Sequence, residues 1–438
     1  MNTLLASAAA GAPMPSARQR SDATRPAAET AAKPAIERKL RLLVFTSLYP
    51  NAAQPRHGRF VEDRVRRLVE SGRVEAMVVA PVPWFPFRYR GFGDYATFAR
   101  VPLRELRHGI RVLHPRYAVI PKVGMNVAPS LMFRALAPVF RKLADRAKFD
   151  VIDAHYFYPD GVAAARLGAA VGKPVVITAR GSDVTWLSRY RYPRRQIQKA
   201  AASAAAVVTV SGALKDKLAS LGVDPGKVTV LRNGVDLDRF APRERAPIRA
   251  RLGLAGPVWL AVGHLVELKG VHVTLAALVE AQDVTLLVAG HGPEEARLRR
   301  LARDLGVDTR VRFLGSIPHT ELCDYYNAAD ALVLASSREG MPNVVLESLA
   351  CGTPVIAAPF DGVGELLDVP EAGEIASERS NGAIASAWLR LRERAPARAA
   401  TRACAERFGW QPVVQAQCAL YDQVLSATSP GTRPGATS

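Results

Sequence analysis

Short apolar runs alternate with helical patterns along most of this chain, and that alternation restricts it to parallel sheets built from strand–helix–strand units. Residues 42–46, 76–80, 151–154, 175–178 and 206–210 read as buried strands. Residues 258–262, 285–289, 332–335 and 355–358 repeat the pattern. One helix between them is explicit: Pro293 opens it, Glu294 and Glu295 fill its first turn, and Gly306 stops it. Its Leu298, Leu301 and Leu305 follow helical spacing. A chain of 438 residues is too long for one ordinary core, so two domains are expected. Asn233-Gly234 is a strong turn signal and places the boundary there. The spacing predicts domains over 39–235 and 236–410, with a linker at 241–250. Tails at 1–38 and 426–438 are rich in small residues and proline, and read as disordered.

The net charge of +19 favours anionic partners: nucleotides, nucleic acid or an acidic membrane. No zinc finger, RNA-binding signature or heptad repeat accompanies it, so no nucleic-acid partner is expected. The four cysteines, Cys323, Cys351, Cys404 and Cys418, have no metal-ligand spacing. They fit a reduced, cytoplasmic protein. The N-terminus lacks the early positive charges and apolar core of a signal peptide. No apolar run is long enough to span a bilayer.

The stretch with most chemistry is 337–349, SREGMPNVVLESL. Glu339 and Glu347 stand eight residues apart, on either side of an expected helix start. Pro342 suits the first helical position and Asn343 is a capping type. Glu339 then lies in the loop and Glu347 about one turn inside the helix. On spacing alone, such a pair is also what a solvated loop and an exposed helix face produce. The apolar run before it changes the balance, because open α/β sheets bind ligands at the C-terminal ends of their strands. Carboxylates that accept from hydroxyls, beside helix-start amides that attract phosphate, suit a sugar nucleotide.

Four signatures in order carry a resemblance to a known family. They are VGHLVELKG (262–270), AGHGPEEARL (289–298), VRFLGSIPHTELCDYYNAADALVLAS (311–336) and the Glu339/Glu347 block. The chain resembles retaining glycosyltransferases of family 4, the group 1 glycosyltransferases. The resemblance implies the GT-B fold: two Rossmann-like parallel-sheet domains facing each other, acceptor side first and donor side second. It also implies a C-terminal helix, here 411–425, that crosses back onto the first domain.

The resemblance assigns roles to particular residues. Lys269 neutralises the donor diphosphate. Glu339 holds the hydroxyls of the transferred sugar, and Glu347 the ribose hydroxyls. Gly340, Met341, Pro342 and Asn343 supply backbone contacts to sugar and phosphate. The turn containing Gly290 and Gly292 lines the nucleotide pocket, and Ser316 and Ile317 face the base. His264 stands where the family usually has arginine, giving up a permanent charge and a forked donor.

On the acceptor side, the family's glycine-rich loop corresponds to 47–60, with Gly58 as its one glycine. His155, Arg180 and Asp183 follow strands and are expected to reach the same cleft. His155 is the catalytic candidate of the three. A hydrogen-bonded structural histidine is the alternative. Arg180 stands where family members often carry histidine; it cannot act as a base but can bind phosphate. The segment 82–90, VPWFPFRYR, is aromatic and basic. It suits either a bilayer interface or a lid over the cleft.

The implied reaction moves a sugar from a nucleoside diphosphate to an acceptor hydroxyl with retention. The leaving phosphate takes the acceptor's proton, so electrostatic preorganisation is the main catalytic device. No cofactor or metal is expected, Asp236-Leu237-Asp238 being read as the connection between domains. The expected partners are the sugar-nucleotide donor, a glycan or lipid-linked acceptor, and an anionic membrane on the inner face of the plasma membrane. A bacterial surface-polysaccharide or lipid-linked glycan pathway is the implied setting. A non-catalytic sugar-nucleotide binder and a nucleotide-sugar epimerase are the alternatives.

Overall fold

All nine apolar runs become strands, with ends within two residues of those expected. The computed structural model describes residues 38–85, 89, 94–119 and 124–428. The first sheet has eight strands, in the order Val228–Val230, Ala206–Thr209, Val175–Ala179, Val151–His155, Leu40–Phe45, Val74–Val79, Ile110–Leu113 and Arg104–Arg107. All neighbours are parallel except the last pair, an antiparallel hairpin at the edge. The hairpin escapes an apolar-run reading because its strands are short and half exposed.

The second sheet has six parallel strands, in the order Val311–Gly315, Thr285–Ala289, Val258–Val262, Ala331–Leu334, Val355–Ala357 and Gly373–Ile375. Its central strands are buried on both faces, as continuous Val, Leu and Ala runs require. The helix expected after Pro293 runs Glu295–Asp304 and buries Leu298 and Ala302.

Two expectations are corrected. The segment 241–250 is not a linker: the helix Arg245–Leu252 occupies most of it. Pro247 falls in its first turn, where a missing N–H costs nothing. Arg245 and Arg249 tie that helix to Asp330 at 2.6 and 3.2 Å. The terminal helix is longer than expected, Trp410–Thr428, so 426–428 is helical rather than tail. It does return to the first domain, where Cys418, Leu420, Tyr421 and Val424 share one core with Leu42, Val44, Val61 and Val65. The expected tails at 1–37 and 429–438 lie outside the described residues, as do residues 86–88 and 90 of the aromatic loop. Among the described residues no helix is long and apolar enough to cross a membrane.

Candidate active site

Loops at the C-terminal ends of both sheets enclose a cavity of about 760 Å³. The second sheet contributes His264, Gly290, Ser316 and Ile317 to its wall, and the first domain contributes Arg56, His57 and Arg59. The close fit of two turns builds the donor side. A side chain on Gly290 would begin 1.8 Å from the Gly263 carbonyl oxygen, so only glycine fits there. Gly292 packs likewise against the backbone of Leu265. His264 is exposed at the wall. His291 takes the Ser316 N–H at 3.2 Å and so fixes the turn that carries Ser316 and Ile317. A larger cavity, about 930 Å³, lies between Arg245, Asp330 and Trp388. Its Arg245 and Arg249 are already paired with Asp330, and none of the expected site residues reaches it.

Lys269 and Glu339 meet. The lysine ammonium donates to Glu339 Oε1 at 2.6 Å, with the two side chains 25% and 11% exposed. The lysine stem runs beside Gly263, at the cavity wall. The Ser337 N–H donates to the Leu268 carbonyl at 2.9 Å, which locks the two chemistry-bearing loops together.

The helix after Glu339 is Asn343–Ala350, with Pro342 as its N-cap. Asn343 therefore does not cap it. Its Oδ1 accepts instead from Asn233 Nδ2 at 2.9 Å, across the domain junction. The Asn233 N–H also points to the Met341 sulfur at 3.1 Å. Gly340 touches the first domain directly: a Cβ there would lie 1.9 Å from the Arg180 carbonyl oxygen.

Glu347 is 8% exposed and held at both oxygens. His319 Nε2 donates to Oε1 and the Tyr326 hydroxyl to Oε2, each at 2.8 Å. Arg239 approaches His319 Nδ1 at 3.3 Å, which leaves the imidazole proton on Nε2. A carboxylate has about four acceptor sites, so Glu347 keeps acceptor capacity beyond these two bonds. Spacing along the sequence does not single out His319 and Tyr326. They lie in the signature that contains Ser316, but only the folded chain aims them at Glu347.

The acceptor-side residues separate by depth. Gly58 starts the helix Arg59–Glu70 and sits on the Leu48 carbonyl, beneath the 47–58 loop. Asp160 clamps that loop, accepting the Ser47 N–H at 2.7 Å and the Ser47 hydroxyl at 2.8 Å. Burial nevertheless pushes the Asp160 carboxyl up to about 7. Asp183 accepts the N–H groups of Phe157, Arg180 and Gly181 at 2.6–3.1 Å. It is a buried loop clamp, and burial raises its pKa against those bonds.

Arg180 and His155 lie deeper, in a buried polar network. Arg180 donates to His155 Nδ1 at 2.7 Å and to Asn233 Oδ1 at 3.0 Å. His155 Nε2 stands 3.0 Å from Asp153 Oδ2, with both side chains 0% exposed. Tyr421 of the terminal helix is buried close to Asp153, and its hydroxyl accepts from Gln417 Nε2 at 2.9 Å. Burial, then the nearby Arg64, lowers Arg180 to about 9. Burial holds His155 down to about 4 despite Asp153. Of the three catalytic candidates, Glu339 and Lys269 are brought together, while His155 sits in this enclosed network. The cysteines, scattered in sequence, are not all apart: Cys323 and Cys351 place their sulfurs 3.7 Å from each other beneath the Glu347 helix.

Lys269 and Glu339 meet beside Gly263 of the cavity wall, while Glu347 and Asn343 border a small adjoining recess that shares His319 with the cavity. Comparison with known proteins agrees. The family described as "Glycosyl transferases group 1" matches residues 244–407, and "Glycosyltransferase Family 4" matches residues 58–239. A Bacillus subtilis (strain 168) protein named "Putative teichuronic acid biosynthesis glycosyltransferase TuaC" is 33% identical over 338 residues, 75% of this chain and 83% of that one. The D-inositol 3-phosphate glycosyltransferase of Frankia alni is 31% identical over 355 residues, 74% and 86% of the two chains. The solved structure of Anabaena Alr3699/HepE in complex with UDP superposes with a TM-score of 0.68 at 21% identity, over 88% of this chain and 100% of that one. Sucrose-phosphate synthase from Thermosynechococcus elongatus gives a TM-score of 0.70 at 20% identity, over 89% and 100%. The chain belongs to the group 1 glycosyltransferases, in family 4, and its fold is GT-B.

Proposed function

We propose that this enzyme transfers a sugar, with retention, from a nucleoside diphosphate to the hydroxyl of a glycan or lipid-linked acceptor. The Lys269–Glu339 pair carries the reading. An ammonium has three donors, so Lys269 can keep Glu339 in place while donating to the diphosphate. Glu339 then accepts from the sugar hydroxyls, and Glu347, oriented by His319 and Tyr326, from the ribose. Charge on the leaving diphosphate is stabilised by Lys269 and by the helix start at Asn343, and the leaving oxygen takes the acceptor proton. No side chain is asked to act as nucleophile, and no metal is invoked. Asp236, the first acid of the DxD-like triplet, is bonded to Arg67 at 2.6 Å. The relative named for teichuronic acid biosynthesis supports a polysaccharide setting. Peripheral contact with an anionic membrane belongs to the same reading.

The test is nucleoside diphosphate release across a panel of sugar nucleotides, starting with UDP-glucose, with membrane extract as acceptor. Glu339→Gln is expected to lower turnover by roughly 10–100-fold, since a charge-assisted hydrogen bond contributes about 1.5–3 kcal/mol. Its unfolding midpoint should barely move. Equal losses of activity and stability would make Glu339 structural. Donor binding without release would favour the non-catalytic binder, and sugar isomerisation without acceptor the epimerase.

A further inference from the structure

A cluster of cations around the loop after Arg180 is left without counterions by the chemistry above. The loop that begins at Arg180 continues through the short helix Ser182–Thr185 to Trp186, which is 37% exposed. Two guanidiniums lie over this indole: Arg189, 5.0 Å from the ring centroid, and Arg338, 4.5 Å from it. They come from different domains. Arg189 follows Trp186 in the first, and Arg338 immediately precedes Glu339 in the second. Neither side chain makes a hydrogen bond or ion pair among the described residues, and Arg338 Nε is enclosed without a partner. Residues 184–203 carry four arginines, one lysine and no carboxylate. Tyr190 and Tyr192 stand exposed beside them, at 46% and 48%.

A guanidinium stacked on an aromatic face keeps its N–H fork free in its own plane. Two unpaired guanidiniums held by one ring form a joint positive site whose free N–H groups favour an oxyanion. Their place decides which anion. Arg338 adjoins the residue that holds the transferred sugar, and Gly340 lies against Gly181 of the Trp186 loop. We propose that Arg189 and Arg338, held by Trp186, form the acceptor subsite, and that the acceptor is an anionic sugar bearing a carboxylate or phosphate. The inference rests on the glycosyl-transfer reading and adds the acceptor's chemical class. The shared chemistry is an oxyanion on or next to a sugar ring. A uronic acid of a growing polymer and the diphosphate of a lipid-linked sugar are its two sources.

Calorimetric titration of the full chain separates them. The probes are a glucuronic-acid trisaccharide, the same trisaccharide reduced at its carboxyls, and a polyprenyl-diphosphate-linked N-acetylglucosamine in detergent micelles. At least one charged probe should bind roughly tenfold or more tightly than the neutral trisaccharide; which one identifies the source. Arg189→Gln with Arg338→Gln should abolish the preference, and the corresponding lysine pair should retain part of it. Equal affinity for charged and neutral probes overturns the proposal without any variant. So does failure of both charged probes to saturate, or an unchanged preference in the glutamine pair. Vesicles of anionic phospholipid without sugar are the last arm. If the glutamine pair loses vesicles as strongly as it loses the charged probes, the patch is a membrane surface and the proposal falls. UDP titrated into the wild-type chain reports on the donor pocket separately. Binding of UDP with no anion preference sinks the acceptor subsite alone.

Discussion

Gly340 shows how a single missing side chain governs the site. Its neighbour Glu339 reaches the lysine of its own domain, while its own backbone leans on the Arg180 carbonyl of the other. A methyl group there would overlap that oxygen at 1.9 Å, well inside van der Waals contact. Gly340→Ala must therefore push the two loops apart. The expected outcome is a fall in kcat/KM of roughly 100-fold or more, since misplacement by about 1 Å can cost that much. The unfolding midpoint should drop only modestly, because the strain can be relieved by opening the cleft. Steady-state kinetics beside a melting curve checks this, and retained activity would show that the contact is incidental. Sequence reading places Gly340 in the donor loop. It does not reveal that the residue's partner is a carbonyl 160 positions earlier.

At the scale of elements, the loop after the strand Leu40–Phe45 depends on one buried acid. Asp160 accepts from Ser47 and Thr46 through a single oxygen, and its other oxygen has no hydrogen-bond partner. Burial raises its titration from the ordinary 3.8 to about 7. The folded chain thus holds a proton that the unfolded chain releases at much lower pH. The resulting stability is full below about pH 4 and is lost as pH rises through 7, on the order of a few kcal/mol. Asp160→Asn keeps the acceptor oxygen and removes the proton. Wild-type protein should lose unfolding free energy between pH 6.5 and 8, and the asparagine variant should lose clearly less. Parallel curves would remove Asp160 as the source. His155 works in the opposite sense: held down to about 4, it contributes stability that is lost as pH falls below 6.5. Comparison above pH 6.5 keeps the two apart.

Across the whole molecule, polar clasps reinforce an apolar core to which both domains contribute. Glu365 of the second domain accepts the N–H groups of Gly212 and Ala213, each at 2.9 Å, and pairs with Arg232 at 2.7 Å. Arg67 reaches Asp236 beside the domain junction. The full sequence carries a net charge of +19. Trp84 is 58% exposed and Tyr89 74%, while Phe85 packs on Tyr95 at 5.2 Å. Exposed aromatics on a basic molecule suit the headgroup region of an anionic bilayer. Trp84→Ser with Phe85→Ser should therefore reduce co-sedimentation with anionic vesicles several-fold and leave that with neutral vesicles unchanged. Unaltered sedimentation would remove Trp84 and Phe85 as a membrane contact.

The sequence by itself determined nine of the strands in the two sheets, the family, and the order of the donor signatures. Those are local facts: a buried parallel strand must be apolar throughout, and a helix start must follow turn residues. Tertiary structure alone decided what each polar group does. Arg180 and His155 follow strands, as residues of a cleft should, yet they are drawn into a buried cluster with Asp153, close to Tyr421 of the last helix. Burial costs a charge its hydration, so such groups must find partners, and those partners lie far away along the chain. For the same reason His319, Tyr326 and Arg338 had no legible role. Hydrogen bonds and stacking depend on positions in space that spacing along a sequence does not fix.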